Sequence, residues 1–170
     1  MNYCNTQQSM DSFTIYTIAS LKVCTMSWIG VLTILVTGFF GSAEFASTAF
    51  VHPVIRKLDP DDQLLFEKGL LNTFGRIMPF GMTLGVILGI ALAIHQTNYF
   101  TISAAIALVV ALIVTIFGNV PINAQTGRIT ETTATKEFIA MRRRWDKYQL
   151  VRGSLQVIGF VLVVLGLAAT

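Results

Sequence analysis

The chain is short of charge and nearly without cysteine. Only 12% of its 170 residues are Asp, Glu, Lys or Arg, about half of the roughly 25% usual in a soluble domain. That is too little to coat a globular surface, and it argues against an ordinary cytosolic enzyme or a disordered tail. The two cysteines, Cys4 and Cys24, lack metal-ligand spacing, so neither a disulfide framework nor a zinc site is indicated. There is no GxGxxG, no P-loop and no carboxylate–histidine metal pattern, and no cofactor is indicated. The net charge of +3 does not call for nucleic acid. In a chain that is 54% hydrophobic, basic residues have another use, which is to orient helices across a bilayer.

Four apolar stretches are long enough for a helix to cross the roughly 30 Å hydrocarbon core. They run from about Ser27 to Val51, Phe74 to His95, Tyr99 to Phe117 and Val151 to Ala169. Their apolar runs are too continuous for barrel strands, which would alternate. The predicted fold is all-α, an integral membrane four-helix bundle over residues 27–170. Residues 1–26 read as an N-terminal extension: Phe13 to Ser20 is too short to span, and Met26 is an alternative start to Met1.

Eleven basic residues flank the first and third loops: Arg56, Lys57, Lys68, Arg76, Arg128, Lys136, Arg142, Arg143, Arg144, Lys147 and Arg152. Only Lys22 lies on the other side. The positive-inside bias puts loops one and three in the cytoplasm and both termini outside, and the expected location is a bacterial inner membrane.

Local signals refine the helices. Asp59-Pro60-Asp61-Asp62 reads as a helix start with Asp59 as cap. That helix is expected to run into the second span and to kink at Pro79. Gly81, Gly85 and Gly89 recur every four residues, a face suited to close helix packing, within the chain or in a homo-oligomer. The third helix should stop at Gly118–Asn123, where a glycine and a pre-proline residue meet. Residues 126–135 read as loop. A last helix starts near Lys136 with an inward stripe of Phe138, Met141, Trp145, Tyr148 and Arg152, leaving Arg142, Arg143 and Arg144 facing headgroups.

Glu44 is the one acid inside a span, and an intramembrane charge usually faces the bundle interior and a partner. Ser47, Thr48 and His52 follow it toward the loop end. Arg76, Asn119, Asn123 and Arg152 lie at the same end of their helices. Each has a bland reading beside the functional one. Arg76 can snorkel to headgroups, Asn119 can cap, Glu44 can be a structural ion pair, and His52 can cap before Pro53. His95 sits at the opposite face, so a haem held between His52 and His95 is excluded.

His52-Pro53 after the first span, Asn119-x-Pro121-x-Asn123 after the third, and Trp145 and Arg152 leading into the fourth form a pattern that resembles the anthrone oxygenase-like family of small four-helix membrane proteins. The resemblance covers about residues 27–169, although Glu44 is not part of that pattern. It implies a membrane-embedded oxidoreductase that oxidises a hydrophobic aromatic or quinone-like molecule with O2. In such a site His52 would be the base, with Arg152 and Arg76 as electrostatic partners; Glu44 is a further candidate catalytic residue as an intramembrane acid, not through the resemblance. Asn119 and Asn123 would orient substrate oxygens, and Trp145 and Tyr148 would form an aromatic wall. Two other readings stand beside it: a non-enzymatic membrane protein that packs against a partner or binds lipid, and a small transporter suggested by Glu44 alone.

Overall fold

The computed structural model describes residues 27–169. The readings placed on residues 1–26, including Cys4, Cys24, Lys22 and the alternative start, lie outside the described residues. Among the described residues there is no strand, and four helices are long and apolar enough to cross a membrane: Trp28–Ile55, Phe74–His95, Tyr99–Arg128 and Lys136–Ala168. The protein is an all-α integral membrane four-helix bundle. Each span packs against two others, the first on the second and fourth and the third on the second and fourth, which closes a ring.

The helices are apolar all round, so hydrophobicity alone does not choose their inner face. Size and polarity do. Phe39, Ile87, Ile106 and Leu165 point outward, while Thr33, Thr37, Gly41, Gly85 and Gly159 are inside. Lipid gains nothing from burying large apolar groups against one another, and small residues let backbones approach. Gly81, Gly85 and Gly89 show this. The first meets Phe40 and the second Thr37 and Val36 of span one, and the third meets Leu108 of span three. All three glycines are buried against neighbouring spans of the chain.

The first span comprises α1 (Trp28–Ala46), a π-helical turn (Ser47–Val51) and α2 (His52–Ile55). A loop helix, α3 (Pro60–Asn72), follows, and α4 (Phe74–His95) is the second span. The third span repeats the device of the first: α5 (Tyr99–Val114), a π turn (Thr115–Asn119) and α6 (Val120–Arg128). The fourth is a single helix, α7 (Lys136–Ala168). Both π turns end two residues before a proline, Pro53 or Pro121. A proline has no N–H to donate, and its ring crowds the carbonyl four residues back. Widening the turn accommodates it: the His52 N–H reaches Ser47 O and the Val120 N–H reaches Thr115 O. So the third helix does not stop at Gly118–Asn123. It passes through them and ends at Arg128, and Thr126, expected in a loop, is buried.

One other boundary differs from expectation. The helix that begins at Pro60 does not run into the second span. It breaks at Thr73, six residues before Pro79, where the Thr73 hydroxyl donates back to Gly69 O at 3.2 Å. Gly69, Asn72, Thr73 and Gly75 are weak helix formers clustered within seven residues. Asp59 occupies the N-cap position with Pro60 behind it, but its side chain makes no capping bond. The acid that acts is Asp61, which accepts the Ala134 N–H at 2.6 Å. With Lys68 donating to Glu131 O at 3.2 Å, it ties loop one to loop three. At the other end Asn98 and Thr101 form a capping box, and Asn98 Nδ2 donates to Gly166 O at 3.1 Å.

The tightest backbone approach makes a stability test. A Cβ on Gly166 would lie 2.6 Å from Thr101 Cγ2 and 3.2 Å from its backbone nitrogen, inside a hydrogen-bonded cap that cannot move freely. Gly166→Ala should cost about 1–3 kcal/mol and lower the melting temperature in detergent. Gly69→Ala, which meets nothing within 4 Å, should be neutral or stabilising.

Candidate functional site

The inner face of α7 is set by spacing rather than by hydrophobicity. Apart from Gly153, which sits beside Arg152, its buried residues are Phe138, Arg142, Trp145, Gln149, Arg152, Gln156, Gly159, Val163 and Gly166. They alternate four and three residues apart throughout, a heptad-like seam. At the loop end that seam carries two arginines and two glutamines. Arg142 is therefore not a headgroup-facing charge: it is 3% exposed, while Arg143 and Arg144 are exposed. Met141 and Tyr148 fall beside the seam, and Tyr148 is 43% exposed with its ring over Gly118.

The π turn in span one brings the opposing residues into line. On an ideal α-helix, eight residues leave Glu44 and His52 about 80° apart. The wide turn between them absorbs one extra residue, and Glu44, Ser47 and His52 are all buried on the inner side. Sequence spacing could not reveal this, because an α-helical wheel assumes a constant turn.

Two carboxylate–arginine pairs result. Glu44 is fully buried, and Arg152 Nη2 donates to both its oxygens at 2.8 and 2.9 Å. Gln149 Nε2 donates to Glu44 Oε2 at 2.5 Å and to Thr48 Oγ1 at 3.1 Å. Gln149 Oε1 accepts from Asn119 Nδ2 at 3.3 Å. Three spans thus share one network. Nearer the loops, Glu67 of α3 lies between His52 and Arg142. Its Oε1 is 3.6 Å from His52 Nδ1, and its Oε2 is 2.5 Å from Arg142 Nη2, a close ion pair rather than an aligned hydrogen bond. The Arg142 guanidinium lies 4.2 Å from the centre of the Trp145 ring, and that ring lies 4.5 Å from His52. Arg56 and Asp146 pair outside this cluster.

Beside both pairs is a cavity of about 550 Å³, within the range of small-molecule sites. Its walls are mostly apolar: Ala43, Ala46, Leu70, Leu71, Phe74 and Met78 are among them. Polar side chains interrupt them, Ser47, His52, Glu67, Thr115, Asn123 and Arg152, and Trp145 also lines the cavity. Among these, Asn123 Oδ1, Trp145 Nε1 and Arg152 Nε are buried without a hydrogen-bond partner.

Of the residues expected from the sequence, His52, Asn123, Trp145 and Arg152 line the cavity. Glu44 and Asn119 lie behind its wall, joined to it through Arg152 and Gln149. Arg76 is exposed and does not line it, and neither does Tyr148. Glu67, Arg142 and Gln149 were not foreseen. The signal for Arg142 and Gln149 was available, since both continue the heptad through Trp145 and Arg152. Glu67 is legible only once α3 is known to break at Thr73 and fold over the site. Among the described residues no group of three or more His, Cys, Asp or Glu could hold a metal ion.

The deep pair has a testable energetic signature. Removing one partner leaves a buried charge, at a cost of about 3–5 kcal/mol, whereas replacing both by apolar groups is often near neutral. Glu44→Leu and Arg152→Met should each lower thermal stability in detergent sharply, and the double variant should recover much of the loss. Additive losses would show that the two residues do not act as a pair.

No curated protein and no solved structure matches the chain. The anthrone oxygenase family model matches residues 63–162, more than half of the chain. That stretch includes Glu67, Asn119, Asn123, Arg142, Trp145, Gln149 and Arg152, and it starts after Glu44 and His52. With four spans and this match, the chain belongs to the anthrone oxygenase family.

Proposed function

We propose that this protein is a membrane-embedded oxidoreductase that oxidises a hydrophobic aromatic or quinone-like molecule with O2. The observation that carries the reading is a mostly apolar cavity lined by an imidazole with a carboxylate beside it and by an arginine. A flat aromatic substrate fills the apolar part, and its oxygen substituents meet Asn123, Trp145 and Arg152.

For an anthrone the chemistry asks for little. The ring methylene is acidic, because the anion left by its proton spreads into a phenolate. His52 takes that proton, and the positive charge of Arg152 stabilises the phenolate oxygen at low dielectric. The electron-rich carbon then adds O2, and the resulting peroxide recovers a proton from His52. Loss of the second methylene proton with cleavage of the O–O bond gives the ketone. One oxygen atom of O2 ends in the new carbonyl and the other leaves as water, with the two methylene hydrogens. The substrate carbon is oxidised, O2 is reduced, and no external reductant is consumed.

The basic loops place the site on the cytoplasmic side in this reading, by the positive-inside rule. Single cysteines at exposed positions in a background without Cys4 and Cys24 test it. Thr97→Cys should react with a membrane-impermeant maleimide on intact cells, and Thr132→Cys should react only after the cells are opened. The reverse pattern would invert the topology.

The reaction is tested by O2 uptake with an anthrone and purified protein in detergent. His52→Ala should slow uptake by about 100-fold or more, the usual scale for loss of a general base. Ala46→Phe, which fills part of the cavity from its apolar lining, should raise KM or abolish uptake. Full activity in His52→Ala would remove the assigned base.

A further inference from the structure

His52 has two ring nitrogens, and only an unprotonated one serves as a base. Which one carries the proton depends on what each faces. Nδ1 faces Glu67 Oε1 at 3.6 Å, slightly beyond hydrogen-bond length, so the contact is electrostatic. A carboxylate there attracts an N–H and repels a lone pair. Glu67 in turn has little freedom. It is buried, its second oxygen is against Arg142, and Asp146, the nearest other acid on the Arg142 helix, is held by Arg56. The Arg142 guanidinium also lies over Trp145, which packs on His52. Three elements, α2, α3 and α7, thus close a ring of contacts that runs through the imidazole.

We infer that Glu67 and Arg142 are positioning residues that hold His52 in the Nδ1–H tautomer, with the Nε2 lone pair left for the cavity. Arg142 acts through Glu67: its charge anchors the carboxylate, and Glu67 orients the ring. The inference rests on the reading of His52 as the base, but its evidence is separable from activity, because the tautomer exists without substrate. Neither residue touches the cavity's reacting atoms directly in this scheme. Glu67 reaches them through the imidazole, as the orienting acid of a triad does.

The chain has only two histidines, and nitrogen NMR distinguishes protonated from bare ring nitrogens. Protein labelled with 15N-histidine, in detergent at a pH where both rings are neutral, gives one signal set for His52 and one for His95. His95, exposed at the far end of the bundle, is the internal reference. Free neutral histidine favours Nε2–H, so dominance of Nδ1–H at His52 is diagnostic. The expected result is Nδ1–H at His52 and the ordinary mixture at His95. Glu67→Leu and Arg142→Met should return His52 to the ordinary mixture, and Arg142→Lys should keep Nδ1–H. Nε2–H dominance in the wild-type protein overturns the inference, as does an unchanged His52 in Glu67→Leu. If Glu67→Leu does not fold, the wild-type spectrum and the Arg142 pair decide the matter. An Nδ1–H tautomer with no O2 uptake would reject the reaction and keep the positioning role. O2 uptake with an Nε2–H tautomer would do the opposite.

Discussion

A carboxylate with no exposure at all, within a helix that crosses a membrane, is the constraint around which this bundle is organised. Water cannot reach Glu44, and lipid offers it nothing, so the protein must supply every partner. It does so from outside the helix that carries the acid: Arg152 and Gln149 come from the fourth span, and Asn119 supports Gln149 from the third. None of these groups could sit at this depth alone. Each makes the others tolerable, and the network therefore joins three spans at one depth. Hydrophobic burial cannot do that in a bilayer, where the exterior is as apolar as the core.

The network requires that polar side chains on different helices point to one place, and the two π turns contribute to this. Prolines that would kink or end an α-helix are accommodated by wide turns, and the same turns rotate the residues beyond them. In the first span this puts His52 on the side that already carries Glu44. In the third, Asn119 closes the wide turn, and Asn123 reaches the cavity one turn later. Thr115 at the start of that turn and Ser47 at the start of the other both line the cavity. The irregular backbone is found where the site is, which is the usual place for such turns.

Much of this was legible in the sequence, and what was not has a common cause. The four spans, the short hairpin between the second and third, and the close packing of Gly81, Gly85 and Gly89 follow from hydropathy and residue size. So does the gathering of His52, Asn123, Trp145 and Arg152 at one end, because their depth depends only on counting. Angle was harder. Asn119 was read as a helix end because proline rules assume that an α-helix either kinks or stops, and the π turn is a third outcome. Arg142 was sent to the headgroups because charge was taken as the mark of an outer face. In α7 the periodicity of three and four was the better guide, and it ran through the charge. Glu67 was invisible for a different reason. Nothing local shows that a loop helix will fold back over the membrane end of the bundle.

That fold-back changes what the first loop is. Asp61 and Lys68 tie α3 to the third loop through backbone groups of Ala134 and Glu131, so the two long connections brace each other. The bracing presents Leu64 and Glu67 inward and lets Leu70 and Leu71 complete the apolar wall of the cavity. A connection that served only to link two spans would have no need to bury a glutamate between a histidine and an arginine. The family match begins at residue 63, inside α3 rather than at the membrane span that follows it. The matched stretch thus takes in most of the loop helix, and in this structure α3 belongs with the spans as a wall of the cavity rather than with the connections between them.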